Sequence, residues 1–312
     1  MSTSSGNSGQ GPTFTPSAVN APVPSNPNNK PDDGLAKLKK DFMRQFPKET
    51  SKYRFQGLEN ARRTYLHERD LFNDDTTASR SEFIIFTCVH PEILEQIPEN
   101  DTLPISSYEK PLHILVLKMP SEPREIVGGQ FEDLMAIKSA GMGVHNELVS
   151  RGGAGVTSSR RTKQPDCSYR PIHPPGTRTT QWPTLVVEVG YSESAAKLEA
   201  DATWWLNDSG VNNGVQIAVT ISIKQNKREI IFRKYERVHK STRKQPDRMV
   251  PTIVQQITLS KPTDDAPVKV SSSPFVLSFE KVLLRDPAAG EGDISFSEND
   301  LRTLADKVWP GN

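Results

Sequence analysis

Polar and apolar positions divide this chain into a polar beginning and a long mixed remainder. Residues 1–33 are mostly Ser, Gly, Asn, Pro and Thr, with almost no large apolar side chains. Such a composition buries too little surface to offset its ordering entropy, so a disordered tail is expected there. Apolar residues return at helical spacing over 34–48, with Leu35, Leu38, Phe42, Met43 and Phe46 in register, Asp32 and Asp33 where caps sit, and Pro47 as a stop. A second helix is expected over 57–72. The runs 83–89 (FIIFTCV) and 112–119 (LHILVLKM) read as buried strands, with a short helix over 91–97. A short helix over 131–140 carries a stripe of Phe131, Leu134 and Met135 and stops at Gly141. The segments 144–150 and 156–163, joined by a turn at Gly152–Gly155, read as a hairpin leading the chain toward Asp166.

The second half is more regular. Trp182 and Pro183 open a strand over 185–189 (LVVEV), in which Leu185, Val187 and Val189 share one face and Val186 and Glu188 the other. Ser192 or Ser194 can cap the next helix, and Glu193 suits its N-terminal end. Leu198, Ala202, Trp205 and Leu206 form the apolar face of that helix, which ends at Gly210. A strand over 215–223, a turn at 224–228 and a strand over 229–235 read as a second hairpin. Further strands are expected over 250–259 and 274–284, and a helix over 297–307. Nothing resembling a linker sets 34–125 apart. It is expected to pack on a core spanning 126–284 as extra strands, with 285–312 a closing loop and helix.

Composition narrows the setting. Apolar residues make up 34% of the 312, and the net charge is +1, so any case for a polyanionic partner rests on local charge. Two cysteines, Cys88 and Cys167, are too few for a secreted disulfide scaffold and have no zinc-ligand spacing. No apolar run is long enough to span a bilayer, and the beginning of the chain does not read as a secretory signal. An intracellular setting, cytoplasmic or nuclear, is expected. The chain has no phosphate-loop, dinucleotide-loop, zinc-protease or nucleophile-elbow motif.

Glu188 is the position that asks for an explanation. A carboxylate between valines in an apolar strand is costly to bury unless a cation, a metal or hydrogen-bond donors meet it. A metal ion answers that need. So does a buried ion pair with Arg170, Lys163 or Arg161, which lie just before it in sequence. Asp166 follows Pro165 in a polar turn, where Asp is common for backbone reasons alone.

Taken together, Pro165-Asp166, then Glu188 in a Val-rich strand, then a helix and another strand, resemble the PD-(D/E)XK nuclease superfamily. The particular form WPTLVVEVGYSES, with Leu198, Asp201-Ala202 and Trp205-Leu206 following, is similar to a group of proteins abundant in fungal genomes. The resemblance covers roughly 128–236. It implies an α/β fold of restriction-endonuclease-like type, a mixed sheet flanked by helices. It also implies a Mg²⁺ ion, with Mn²⁺ as a substitute, held by Asp166, Glu188 and the backbone carbonyl of Val189. A third acid from the preceding helix would be Glu132, with Glu147 behind it. The superfamily's lysine belongs two residues after the glutamate, where this chain has Gly190. Lys197, one turn into the following helix, is the candidate to replace it. Asp166, Glu188 and Lys197 are thus the expected catalytic residues of a metal-dependent phosphodiesterase. The alternative is a non-catalytic module of the same fold that binds nucleic acid or a protein.

One stretch bears on a DNA or RNA partner. Residues 224–248 hold ten Lys/Arg against three Asp/Glu. Clustered cations gain affinity for phosphate by counterion release. The expected contacts are Lys224, Lys227, Arg228, Arg233 and Lys234, extended toward Asp166 by Arg160, Arg161 and Lys163. A solvated basic loop beside an edge strand explains the same run.

Overall fold

The computed structural model describes residues 33–75, 77, 79–98, 101–191, 195–210, 214–241, 243 and 245–310. Residues 1–32 of the expected disordered tail and the expected capping residues Ser192, Glu193 and Ser194 lie outside them, whereas Asp33 opens the first helix. The chain runs α1 (Asp33–Met43), β1 (Ser51–Arg54), α2 (Leu58–Asn73), β2 (Phe83–Thr87), α3 (Glu92–Glu95), β3 (Ile105–Glu109), β4 (Ile114–Lys118) and α4 (Glu122–Gly141). It continues β5 (Leu148–Ser150), β6 (Val156–Thr157), β7 (Arg161–Lys163), β8 (Cys167–Pro171), β9 (Leu185–Tyr191), α5 (Ala195–Asp208), β10 (Ile217–Lys224) and β11 (Glu229–His239). It ends β12 (Met249–Ser260), β13 (Lys269–Val270), β14 (Phe275–Leu277), α6 (Phe279–Leu283), β15 (Ile294–Phe296) and α7 (Glu298–Val308).

The architecture is α/β, with mixed sheets flanked by helices. A seven-stranded sheet has the order β13-β12-β11-β10-β9-β8-β5. Its centre is a β9–α5–β10 crossover, in which β9 and β10 are parallel. Parallel neighbours need such a connection, and a helix of this length supplies it. Leu185, Val187 and Val189 enter the larger core with Val127, Phe131 and Met135 of α4. Val186, on the other face, packs with Ala202, Trp204 and Trp205 of α5. The alternation expected for β9 is therefore the one observed, and both faces are covered.

The segment before α4 does not add strands to that sheet. It builds a second one, ordered β1-β2-β4-β3-β7-β6, with two strands borrowed from beyond α4. One face of it packs on Tyr65 and Phe72 of α2, and the other on Phe42 and Phe46 around α1. The expected hairpin between 144–150 and 156–163 is consequently not formed. β5 pairs with β8, whereas β6 and β7 pair with each other and join the second sheet. The chain passes from one sheet to the other between Lys163 and Cys167, and Asp166 lies in that passage.

Two other expectations are corrected. α4 is twice as long as its apolar stripe suggests. Its first half contains Pro123, suited to a first turn, and the helix-weakening pair Gly128-Gly129, held in place by the burial of Val127 and Phe131 on either side. The expected strand over 274–284 is a short strand followed by α6, whose N-cap Ser278 accepts a hydrogen bond from the Lys281 N–H. The closing helix is as expected, with Ser297 and Asp300 forming a capping box.

Candidate metal and phosphate site at the junction of the two sheets

β8 and β9 are antiparallel, with Cys167 opposite Val187. The register ends there; Asp166, one residue before β8, donates its N–H to the Val187 carbonyl at 3.2 Å, offset by one from the ladder. The Asp166 charge acts on Glu188, a proximity that strand pairing creates across 22 residues of chain.

Each acid meets a different environment. Asp166 Oδ2 accepts from the Val189 N–H at 2.6 Å and from Lys118 Nζ at 2.7 Å. Lys118 Nζ also donates to the Val189 carbonyl at 2.7 Å. Arg124 Nε stands 4.0 Å from Asp166 Oδ1. Burial pushes the Asp166 carboxyl up, but the charges of Lys118 and Arg124 and the hydrogen bonds from Lys118 and Val189 outweigh it, so it lies below the usual carboxylate range. Glu82, 2% exposed, sits beside this group, and its Oε1 accepts from the Tyr191 N–H at 3.0 Å. Burial raises the Glu82 carboxyl against the opposing charges of Lys118 and Arg124. A cavity of about 180 Å³ opens here, lined by Lys118, Arg124, Gln164, Pro165 and Asp166 among others.

Glu188 is 2% exposed and turned into the protein. Its Oε1 accepts from the Trp205 indole N–H at 2.6 Å and stands 3.1 Å from Lys163 Nζ. Lys163 reaches Asp201 Oδ2 at 2.9 Å, and Lys197 also bonds Asp201. Arg161 pairs with Glu109 and stands 3.8 Å from Asp201. Burial raises Glu188, with Lys163 opposing, whereas at Asp201 the charges of Lys163, Lys197 and Arg161 overcome burial and lower it.

The expected site residues therefore separate. Asp166 meets Val189 directly, whereas the Glu188 carboxylate turns to Trp205 and Lys163. Lys197 is tied to Asp201 and lies over the rings of Phe46 at 5.2 Å and Phe83 at 5.8 Å. Burial brings its ammonium down to about 8, with Lys163 and Arg161 adding to the shift against Asp201. Glu132 is raised by burial and acts on the Cys167 thiol, next in sequence to Asp166. Glu147 lies elsewhere, held by Arg285 at 2.9 Å through both oxygens. Lys118 is the residue that sequence reasoning missed. Its signal was present: a lysine at the end of an apolar strand raises the same question as Glu188 among valines.

The expected nucleic-acid contacts are also redistributed. Arg161 and Lys163 are buried and paired inside the protein, so they present no charge to a ligand; Lys163 is instead the cation that meets Glu188. Arg160 is exposed. The basic run of 224–248 is not one patch. β11, about 35 Å long at the usual rise of an extended strand, separates Lys224, Lys227 and Arg228 from the basic residues after His239. Val189 aligns with Ile221 and Phe232, and Tyr191 with Ile223 and Ile230. The turn bearing Lys224 and Lys227 therefore lies at the Asp166 end of the sheet. Arg228 there pairs with Asp264 at 2.6 Å. Arg233 bonds Gln256 at 2.8 Å, and Lys234 bonds the Val276 carbonyl at 2.7 Å.

Among the described residues no three His, Cys, Asp or Glu side chains gather as a metal cluster. A Mg²⁺ ion needs fewer, since it keeps several waters. The relevant test is whether oxygen donors converge. Asp166 Oδ2 and the Val189 carbonyl oxygen both lie 2.7 Å from one point, and that point holds a cation, the Lys118 ammonium. Two hard oxygen ligands already gathered about a positive charge fit a divalent cation.

No protein-family model matches this chain, and no curated protein matches it. Among the described residues no helix is long and apolar enough to cross a membrane. A solved structure from Anabaena variabilis, described as a putative nuclease belonging to DUF820, is similar over 69% of this chain and 97% of that one, with 12% sequence identity and a TM-score of 0.38.

Proposed function

We propose that this chain is a nuclease of PD-(D/E)XK type, hydrolysing phosphodiesters of DNA or RNA with a divalent metal. The observation that carries the reading is the convergence of Asp166 Oδ2 and the Val189 carbonyl on one cation position, next in sequence to Glu188. Asp166 and Val189 would hold Mg²⁺ or Mn²⁺, and Glu188 would support the metal from beside Val189. When bound, such an ion lowers the pKa of an attacking water and stabilises charge building on phosphate. Asp166, kept ionised by Lys118, Arg124 and the Val189 N–H, is the carboxylate ready to act as ligand. The cavity beside it and Arg124 at its wall accommodate a phosphate oxygen, and Lys224 and Lys227 steer the polyanion from the same end of the sheet.

A second reading has its own observation. Both acids already face ammonium groups, Lys118 at Asp166 and Lys163 at Glu188. That arrangement suits a non-catalytic module of the same fold that binds nucleic acid or protein. A cleavage assay on DNA and RNA with Mg²⁺ or Mn²⁺ separates the two. Wild type is expected to cut, and Asp166→Asn and Glu188→Gln to lose roughly 10²-fold or more, the scale of removing a group that stabilises developing charge. Equal activity in all three would mark a contaminant and remove the enzyme reading. No activity in any, with nucleic acid still bound, would establish the module.

A further inference from the structure

The metal position of this reading is filled by the chain itself, and the cation that fills it comes from the other sheet. Lys118 ends β4, beyond the buried apolar residues Ile114–Leu117, and is only 7% exposed. Its ammonium touches both oxygens that would ligate the ion, at 2.7 Å each. Metal and ammonium cannot occupy one point, and two positive charges so close in a partly buried corner repel strongly. The local charge is already balanced, since buried Asp166 and Glu82 face Lys118 and Arg124. A divalent ion therefore enters only as the ammonium leaves.

The structure also shows where the ammonium can go. Glu82 Oε2 is buried and accepts no hydrogen bond among the described residues. Lys118 is the strongest charge acting on that carboxylate. The cavity that Lys118 and Asp166 line leaves space beside the ammonium for an incoming ion.

We propose, resting on the metal-site reading above, that Lys118 is an internal competitor of the divalent ion: it latches Asp166 to the Val189 carbonyl when the metal is absent, and moves toward Glu82 when the metal binds. The apparent metal affinity is then lowered by the small fraction of molecules in which the latch is open. Because β4 belongs to the second sheet, the latch also ties the two sheets together, and metal entry releases that tie.

The test is calorimetric titration of Mn²⁺ and Mg²⁺ into the full chain, which needs no activity. Lys118→Gln is expected to bind Mn²⁺ roughly tenfold to a hundredfold more tightly than wild type, the factor set by the closed fraction. Glu82→Gln, which leaves the Lys118 contacts in place but removes the charge that receives the ammonium, is expected to bind more weakly. Asp166→Asn is expected to lose binding. Thermal melts confirm that each variant folds, and Glu82→Gln keeps the test open should Lys118→Gln not fold. If wild type binds Mn²⁺ in an Asp166-dependent way but Lys118→Gln binds no more tightly, or Glu82→Gln no more weakly, the latch is overturned and the metal site stands. If neither wild type nor Lys118→Gln binds metal at millimolar concentration, the metal-site reading falls and takes the latch with it.

Discussion

Asp166, just before β8, and Glu188, within β9, act on each other through their charges, yet they belong to two different kinds of charged cluster. Around Asp166, the cluster of Asp166, Glu82, Lys118 and Arg124 borders a cavity, and Arg124 keeps 14% of its side chain exposed. Around Glu188, the cluster of Glu188, Asp201, Glu109, Lys163, Lys197 and Arg161 is closed: Lys163 is fully buried, and Phe46, Phe83 and Trp204 pack against its cations. Each cluster matches its buried carboxylates with an equal number of cations. The difference is access. An ion pair at a cavity can exchange partners with a ligand, whereas a sealed one keeps its partners within the protein. A replaceable charge thus sits beside a fixed one.

The sharpest way to break this contrast is to remove a cation from the sealed side. Lys163→Met leaves Glu188 and Asp201 short of their shared partner. It should cost about 3–5 kcal/mol, the usual penalty for stranding a buried charge. Denaturant unfolding measures it; a loss under about 1 kcal/mol would show that water reaches the cluster and that the two sides are alike.

Trp205→Phe removes a single donor while keeping most of the ring. The indole N–H donates to the Glu188 carboxyl at 2.6 Å. A loss of about 1.5–3 kcal/mol is expected, as for hydrogen bonds to charged groups. A loss under about 0.5 kcal/mol, read from denaturant unfolding, would show that water replaces the donor and that this side is not sealed.

Lys197 gives the smallest effect. Asp201 keeps Lys163 and Arg161 when Lys197 is replaced, and a well-packed apolar substitute for a buried ion is often neutral, so Lys197→Met should stay within about 1 kcal/mol of wild type at neutral pH. The pH dependence carries more information. Folding brings Lys197 down to about 8, below its ordinary lysine value. Between those two values the unfolded chain holds more protons, so wild-type stability should rise with pH through that window. Lys197→Met should lose this rise, as read from melting temperature against pH. A rise that persists in the variant would assign it to another group.

Much of the core was legible in the sequence. β9 and α5 could be read because a strand with two covered faces and a helix with one apolar stripe announce themselves by period. β10 and β11 followed from the same pattern and a short basic turn. Glu188 was legible as a candidate because a carboxylate in an apolar strand needs a partner; Asp166, in a polar turn, was a candidate only through the resemblance. Lys118 was overlooked although it posed the same question from the other sign of charge. The wrong hairpin between 144–150 and 156–163 had a physical cause: both strands are short, and local pattern cannot tell which sheet a two- or three-residue strand will join. α4 was half-read because Pro123 and Gly128-Gly129 hide helical propensity that burial restores.

The sequence by itself determined which segments alternate, which helix covers β9, and that Glu188 must meet something positive or polar, because burial and periodicity are local properties of a chain. Only the tertiary structure decided that the positive partner of Glu188 is Lys163 and that of Asp166 is Lys118. Those pairings join residues from two separate sheets, Lys163 and Lys118 from one and the β8–β9 ladder from the other. Which charge faces which across such a junction depends on how the sheets pack, and no spacing within a single strand records it.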